Sequence, residues 1–151
     1  MSDIEHKVLF VCIHNSARSQ MAEAFLNKHG KDLYKAESAG IEPGKLNPIV
    51  VKVMQEEGID LSNKKTQAVF DLFRDGKRYN AVVTVCDAVS AERCPIFPGL
   101  VKRLAWSFED PSSFKGSEDE ILNHTRIVRD EIKNAILGFI EEASEVKYWM
   151  K

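Results

Sequence analysis

The segment Lys7-Val8-Leu9-Phe10-Val11-Cys12 constrains the fold of this chain more than any other. A near-continuous apolar run suits a strand covered on both faces, as strands are in parallel sheets. Parallel neighbours need crossover connections, and helix-like segments alternate with strand-like ones along the sequence. Residues 17–29 set Met21, Ala22, Ala24 and Phe25 at helical spacing and stop at Gly30. Residues 34–39 read as a second strand closed by Gly40, and 48–57 as a helix opened by Pro48 and ended by Gly58. Ser62 or Asn63 is placed to cap a short helix over about 66–73, with Val69, Phe70 and Phe73 on one face.

Residues 80–86 repeat the character of the first strand, again ending in cysteine. A loop over 87–99 is broken by Pro95, Pro98 and Gly99, residues 100–108 make a fourth strand, and Asp110-Pro111-Ser112-Ser113 is a turn. An amphipathic helix runs over 117–144 with Ile121, Val128, Ile132, Ile136 and Phe139 on its apolar side, and the tail 146–151 frays. The expected fold class is α/β: a four-stranded parallel sheet of flavodoxin-like order 2-1-3-4, helices on both faces, in one domain over residues 1–151. Ligands of such sheets bind beyond the carboxyl ends of the strands, at the switch point beside the first strand.

Three reactive residues fall at that edge. Cys12 ends strand 1, Cys86 ends the neighbouring strand 3 about 5 Å away, and Asp110 follows strand 4. Between Cys12 and Arg18 lie Ile13, His14, Asn15, Ser16 and Ala17. A loop of that length folds its N–H groups, from Ile13 to Arg18, around one small oxyanion, helped by the helix that follows. Arg18 adds a planar fork for two oxyanion oxygens. Ser19 donates to the sulfur, and the Asn15 amide braces the loop. A lone cysteine at position 12 would read as a small core hydrophobe. The strand, the gap, the arginine and the helix together read as a thiolate nucleophile facing a tetrahedral anion.

Asp110 reads either as a turn-starting aspartate or as a general acid that protonates the leaving oxygen. Cys86 is either a buried structural thiol or a second thiolate that attacks Cys12, with Cys94 then attacking Cys86 and carrying the disulfide outward. Hydrolysing a phosphoester needs one thiolate and then water. Reducing an oxyanion by two electrons needs two thiols that end as a disulfide, so the extra sulfurs favour reduction. Three cysteines without a C-x-x-C pair suit neither zinc nor a disulfide scaffold. His14 either lines the anion loop or faces solvent. His6, His29 and His124 read as surface residues, Trp106 and Phe108 as core.

A net charge of -2 gives no electrostatic footing for nucleic acid or an anionic membrane. No apolar run approaches the roughly 20 residues of a membrane span, and the polar first residues do not read as a signal peptide. The expectation is therefore a cytoplasmic enzyme with no metal and no cofactor.

These residues resemble the arsenate reductases built on the low-molecular-weight protein tyrosine phosphatase fold. The likeness runs through VLFVCIHNSARSQMAEAF, ESAGIEP and the following NP, GIDLSNKKT, VVTVCDAVSAERCPIFPG and WSFEDPS. It implies arsenic detoxification by reduction of arsenate to arsenite, with phosphate or sulfate as mimics of the substrate. By the same likeness, Cys12 forms a thiol–arsenate adduct, Cys86 attacks it and releases arsenite, and Cys94 takes over the disulfide. Arg18 and Ser19 then hold the anion and the thiolate, and Asp110 is the acid. Thioredoxin or a glutathione/glutaredoxin system is the implied reductant. Three features depart from the pattern: His14 replaces a glycine, Ala17 replaces a frequent cysteine, and the Cys86–Cys94 gap is slightly long. Some relatives bind potassium near the positions of Asn15, Glu23 and Ser38, but Gln67 replaces a further acidic ligand, so no metal is assigned. The alternative implied by the fold is a phosphatase that hydrolyses phosphoesters through a phosphocysteine at Cys12. Those proteins follow the acid with aromatic residues, where this chain has Pro111, Ser112 and Ser113.

Overall fold

β1 (His6–Cys12) sends alternate side chains into two apolar layers: Val8, Phe10 and Cys12 into one, Leu9 and Val11 into the other. The computed structural model describes residues 6–85, 102–144 and 146–149. In it β1 pairs in parallel with β2 (Tyr34–Gly40) on one side and β3 (Ala81–Thr84) on the other, and β3 pairs in parallel with β4 (Lys102–Ala105). The sheet order is β2-β1-β3-β4, as the strand–helix alternation implies.

The two faces are covered unequally. On the thicker side α1 (Arg18–His29), α2 (Pro48–Gln55) and α4 (Glu118–Ala143) pack Phe25, Leu26, Met54, Ile132 and Ile136 against Val8 and Phe10. On the thinner side α3 (Val69–Arg74) contributes Leu72 and Val69 over Leu9, Val11 and Val82. Local signals set the helix starts. Asn47 accepts a hydrogen bond from the Ile49 N–H ahead of Pro48, and Ser117 with Glu120 forms a reciprocal capping box for α4. Arg126 and Arg129 of α4 grip Glu56 just past α2 and, Arg126 foremost, hold its carboxyl down to about 2.

Four expectations change. α3 begins at Val69 rather than about 66, and neither Ser62 nor Asn63 caps it. Residues 66–68 are engaged elsewhere: Thr66 Oγ1 donates to Gly44 O, Gly40 N donates to Gln67 O, and Ala68 bridges Gly40. The buried residue of α3 is Leu72, while Phe70 and Phe73 are 68% and 53% exposed. The fourth strand stops at Ala105 rather than 108, opposite the last residue of its partner β3, Thr84. The tail is not frayed over 146–149. It forms a short helix, α5 (Val146–Trp149), whose Trp149 ring stacks on His6 with centroids 4.0 Å apart and donates to Ala143 O. Of the three histidines read as surface residues, His29 is exposed, while His6 and His124 are partly covered by ring stacks on Trp149 and Phe114.

Candidate active site

Residues 12–18 turn directly off β1, and their carbonyls are taken up by the segment after β2. Cys12, Ile13, His14 and Ser16 accept from the N–H groups of Ile41, Glu42, Gly44 and Asn47 at 2.9–3.3 Å. On a trans peptide plane the carbonyl and the following N–H point in opposite directions. The amides of Ile13, His14, Asn15 and Ala17 therefore point away from residues 41–47. The Asn15 N–H reaches Cys12 Sγ at 3.2 Å. Asn15 has φ 56°, a left-handed conformation asparagine tolerates, and it is the sole non-glycine with positive φ among the described residues. His14 therefore needs no glycine. Its ring is exposed and its Nδ1 lies 2.9 Å from Glu42 O. Gly40 is required where the strand passes under the loop. A Cβ there would sit 2.6 Å from Ile13 O and 2.8 Å from Asn15 N.

Cys12 is buried, and its sulfur lies 2.9 Å from Ser19 Oγ. The direction of that bond follows from the neighbours. Asn15 Oδ1 accepts from the Gln67 backbone N–H at 3.0 Å, which fixes the amide orientation, so Nδ2 is the donor to Ser19 Oγ at 2.8 Å. With one lone pair so engaged, the Ser19 hydroxyl proton is free to point at the sulfur. Cys12 then has two donors, the Ser19 O–H and the Asn15 N–H. Gln20 Nε2 supports the arrangement from below by donating to Asn15 Oδ1 and Lys65 O, both at 3.2 Å. Ala17, the cap residue of α1, makes no side-chain cap hydrogen bond. The first N–H groups of α1 are thus not taken up by a capping side chain.

Arg18 is 2% exposed at the start of α1. Its Nη1 donates to Phe108 O at 3.2 Å and its Nη2 lies 3.4 Å from Asp110 Oδ2. Asp110 Oδ1 accepts from Ser112 N at 2.9 Å, capping the single 3₁₀ turn Pro111–Ser113. One carboxylate oxygen thus caps the turn, as the turn reading of Asp110 has it, and the other faces the arginine. Phe114, the first aromatic after Asp110, is stacked on His124 with centroids 3.5 Å apart.

The sequence-predicted Cys12, Asn15, Arg18, Ser19 and Asp110 come together at the carboxyl end of the sheet. Ile13, Ser16 and Ala17 lie in the same loop. Cys86 and Cys94 lie outside the described residues. The described chain leading to Cys86 runs beside β1, with Val85 N donating to Val11 O at 2.9 Å. Missed from sequence were Gln20 and Lys64, and Gln67 was named only as replacing an acidic ligand; all three tie down Asn15 and its surroundings. The signal for Gln20 was a polar residue adjoining the apolar stripe of α1; Lys64 offered none. Asn15, Glu23 and Ser38 do not fit an alkali ion: the Lys64 ammonium contacts Glu23 Oε2, Ser38 donates to Oε1 at 2.6 Å, and Asn15 Oδ1 is already occupied. Among the described residues no group of three or more His, Cys, Asp or Glu could hold a metal, and no helix is long and apolar enough to cross a membrane.

A parallel sheet of this order, with a cysteine-to-arginine loop between β1 and α1, defines a class. The chain belongs to the low molecular weight phosphotyrosine protein phosphatase family, which matches residues 7–147. Within that family its likeness is to arsenate reductases. It is 41% identical over 140 residues to the arsenate reductase of Bacillus subtilis (strain 168), covering 91% of this chain and 98% of that protein. A solved arsenate reductase in its reduced state superposes with a TM-score of 0.73 at 29% identity, covering 91% of this chain and 98% of that one. The thioredoxin-dependent arsenate reductase of Corynebacterium glutamicum does so with a TM-score of 0.59 at 25% identity, covering 91% of this chain and 64% of that one.

Proposed function

We propose that this protein reduces arsenate to arsenite, with Cys12 as nucleophile. The observation that carries the reading is the Cys12 sulfur, held by Ser19 and Asn15 at the head of a helix with no side-chain cap and with Arg18 beside it. Arsenate binds on the loop amides and the Arg18 fork. The Cys12 thiolate attacks arsenic. An As–O bond breaks, and the oxygen leaves as water after protonation, with Asp110 as the acid. The Cys86 thiolate then attacks the Cys12 sulfur. The electron pair of the S–As bond stays on arsenic, which falls from As(V) to As(III) and departs as arsenite, leaving a Cys12–Cys86 disulfide. Attack of Cys94 on Cys86 moves the disulfide to Cys86–Cys94 and frees Cys12. A dithiol of the thioredoxin type restores the pair. The similarity to a thioredoxin-dependent enzyme supports that reductant over a glutathione/glutaredoxin system. The reaction belongs in the reducing cytoplasm.

The family match favours one second reading, hydrolysis of small phosphoesters through a phosphocysteine at Cys12. Against it stand Pro111, Ser112 and Ser113 after the acid, and a Phe114 ring engaged by His124. The deciding experiment treats the reduced protein with arsenate and maps its disulfides by mass spectrometry. A Cys86–Cys94 bond with one arsenite released per protein is expected. Turnover of an aryl phosphate with no loss of thiols selects the phosphatase, and multi-turnover reduction by a Cys86→Ser/Cys94→Ser variant refutes the three-thiol scheme.

A further inference from the structure

We propose that the Lys64 ammonium is a built-in cation for the oxyanion loop, doing for Glu23 what a bound alkali ion would otherwise do, and that Lys64 and Glu23 are positioning residues for Cys12. The inference rests on Cys12 being the nucleophile. Glu23 is a carboxylate on the core side of α1, 7% exposed. Burying such a group requires a countercharge and hydrogen bonds. It has both, Lys64 Nζ on Oε2 and the Ser38 hydroxyl on Oε1 at 2.6 Å.

From there an unbroken chain of contacts runs to the sulfur. Ser38 O accepts from Gln67 Nε2 at 2.8 Å, Gln67 N–H donates to Asn15 Oδ1 at 3.0 Å, Asn15 Nδ2 donates to Ser19 Oγ at 2.8 Å, and Ser19 Oγ lies 2.9 Å from Cys12 Sγ. The segment 64–67 supplies both ends of this chain, a charge to Glu23 and an N–H to Asn15. It is fastened between them by Thr66 Oγ1 on Gly44 O and by Gly40 N on Gln67 O. Removing the ammonium leaves Glu23 buried and uncompensated, which loosens Ser38 and, through Gln67, the Asn15 amide that orients Ser19. The Lys64 side chain is 40% exposed, so a small aqueous cation can reach the vacated place.

The test uses reduced full-length protein with inorganic phosphate as probe. Phosphate affinity is measured by calorimetry, and the pH profile of Cys12 alkylation by peptide mass spectrometry. Both are read in potassium chloride and in tetramethylammonium chloride at equal ionic strength. Wild type is expected to behave alike in the two salts. Lys64→Met in tetramethylammonium should bind phosphate about tenfold more weakly, with its alkylation profile displaced to higher pH. Potassium should recover most of the loss, and Lys64→Arg should restore it in either salt. The double variant Glu23→Gln/Lys64→Met, which buries no lone charge, should show no potassium response. The proposal is overturned by a potassium dependence of the wild type, which needs no variant to fold. It is overturned equally by a Lys64→Met protein that matches wild type in tetramethylammonium, by a defect that potassium leaves untouched, or by a potassium response in the double variant. None of these readouts uses arsenate turnover, so phosphate binding without reduction would count against the proposed function alone.

Discussion

Residues 12–19 and the turn that carries Asp110 meet across Arg18, yet they are held in different ways. The loop has contacts of its own around Cys12, but its backbone is fixed mainly from outside. Its carbonyls are taken by residues 41–47, its asparagine by Gln67 and Gln20, and its underside by the missing side chain of Gly40. The Asp110 turn is fixed mainly from within, through Ser112 N and through Ser113, whose N–H and hydroxyl both bond to Asp110 O, with Asn47 Nδ2 on Ser112 Oγ as its outside tie. An anion cradle needs several amides to converge, and no short peptide holds that shape unaided. The proton donor proposed at Asp110 needs one oxygen in place and benefits from contact with water, which its 24% exposed side chain has.

The largest break should come at the sulfur. Cys12→Ser is expected to lower arsenite formation by at least about 10³-fold while leaving thermal unfolding nearly unchanged, because both residues are small; residual turnover near wild type would remove Cys12 from the chemistry. Arg18→Lys keeps the charge but loses the fork that joins loop to turn. It should reduce kcat/KM by about 10²–10³-fold, chiefly through arsenate binding in a substrate titration. Asp110→Asn retains the acceptor for Ser112 N and removes the acid. A loss of about 10²-fold in the first, adduct-forming step is expected, with phosphate affinity largely kept; a loss of affinity equal to that of Arg18→Lys would mean that the aspartate positions the arginine instead. The smallest effects test the scaffolding itself. Gly40→Ala should cost about 1–3 kcal/mol in urea unfolding, and Ser113→Ala less than about 1 kcal/mol. Equal losses would erase the contrast between outside support and self-support.

What the sequence made legible follows the same division. The strand at 7–12, the cysteine-to-arginine gap and the Asp110 turn are local patterns, and each appears where its spacing puts it. The sheet order followed from strand–helix alternation, which is a rule of connection rather than of contact. The contacts of Lys64 with Glu23 and of Gln67 with Asn15 were illegible because they span 41 and 52 residues, and only resemblance set Gln67 near Asn15. Phe70 and Phe73 misled because apolar spacing in a six-residue helix says little about which side is covered. Trp149 was read as part of a loose tail because nothing nearby in sequence announces a ring as distant as His6. Cys86 and Cys94 rest on chemistry and resemblance, which is why disulfide mapping decides more than any single substitution.

The His6–Trp149 stack brings the first strand's starting residue and the last helix together, at the opposite end of β1 from Cys12. Strand rise puts that junction about 20 Å from the sulfur. A fluorescent label or a surface tether placed there would report on the molecule without crowding the end of the sheet that holds Cys12.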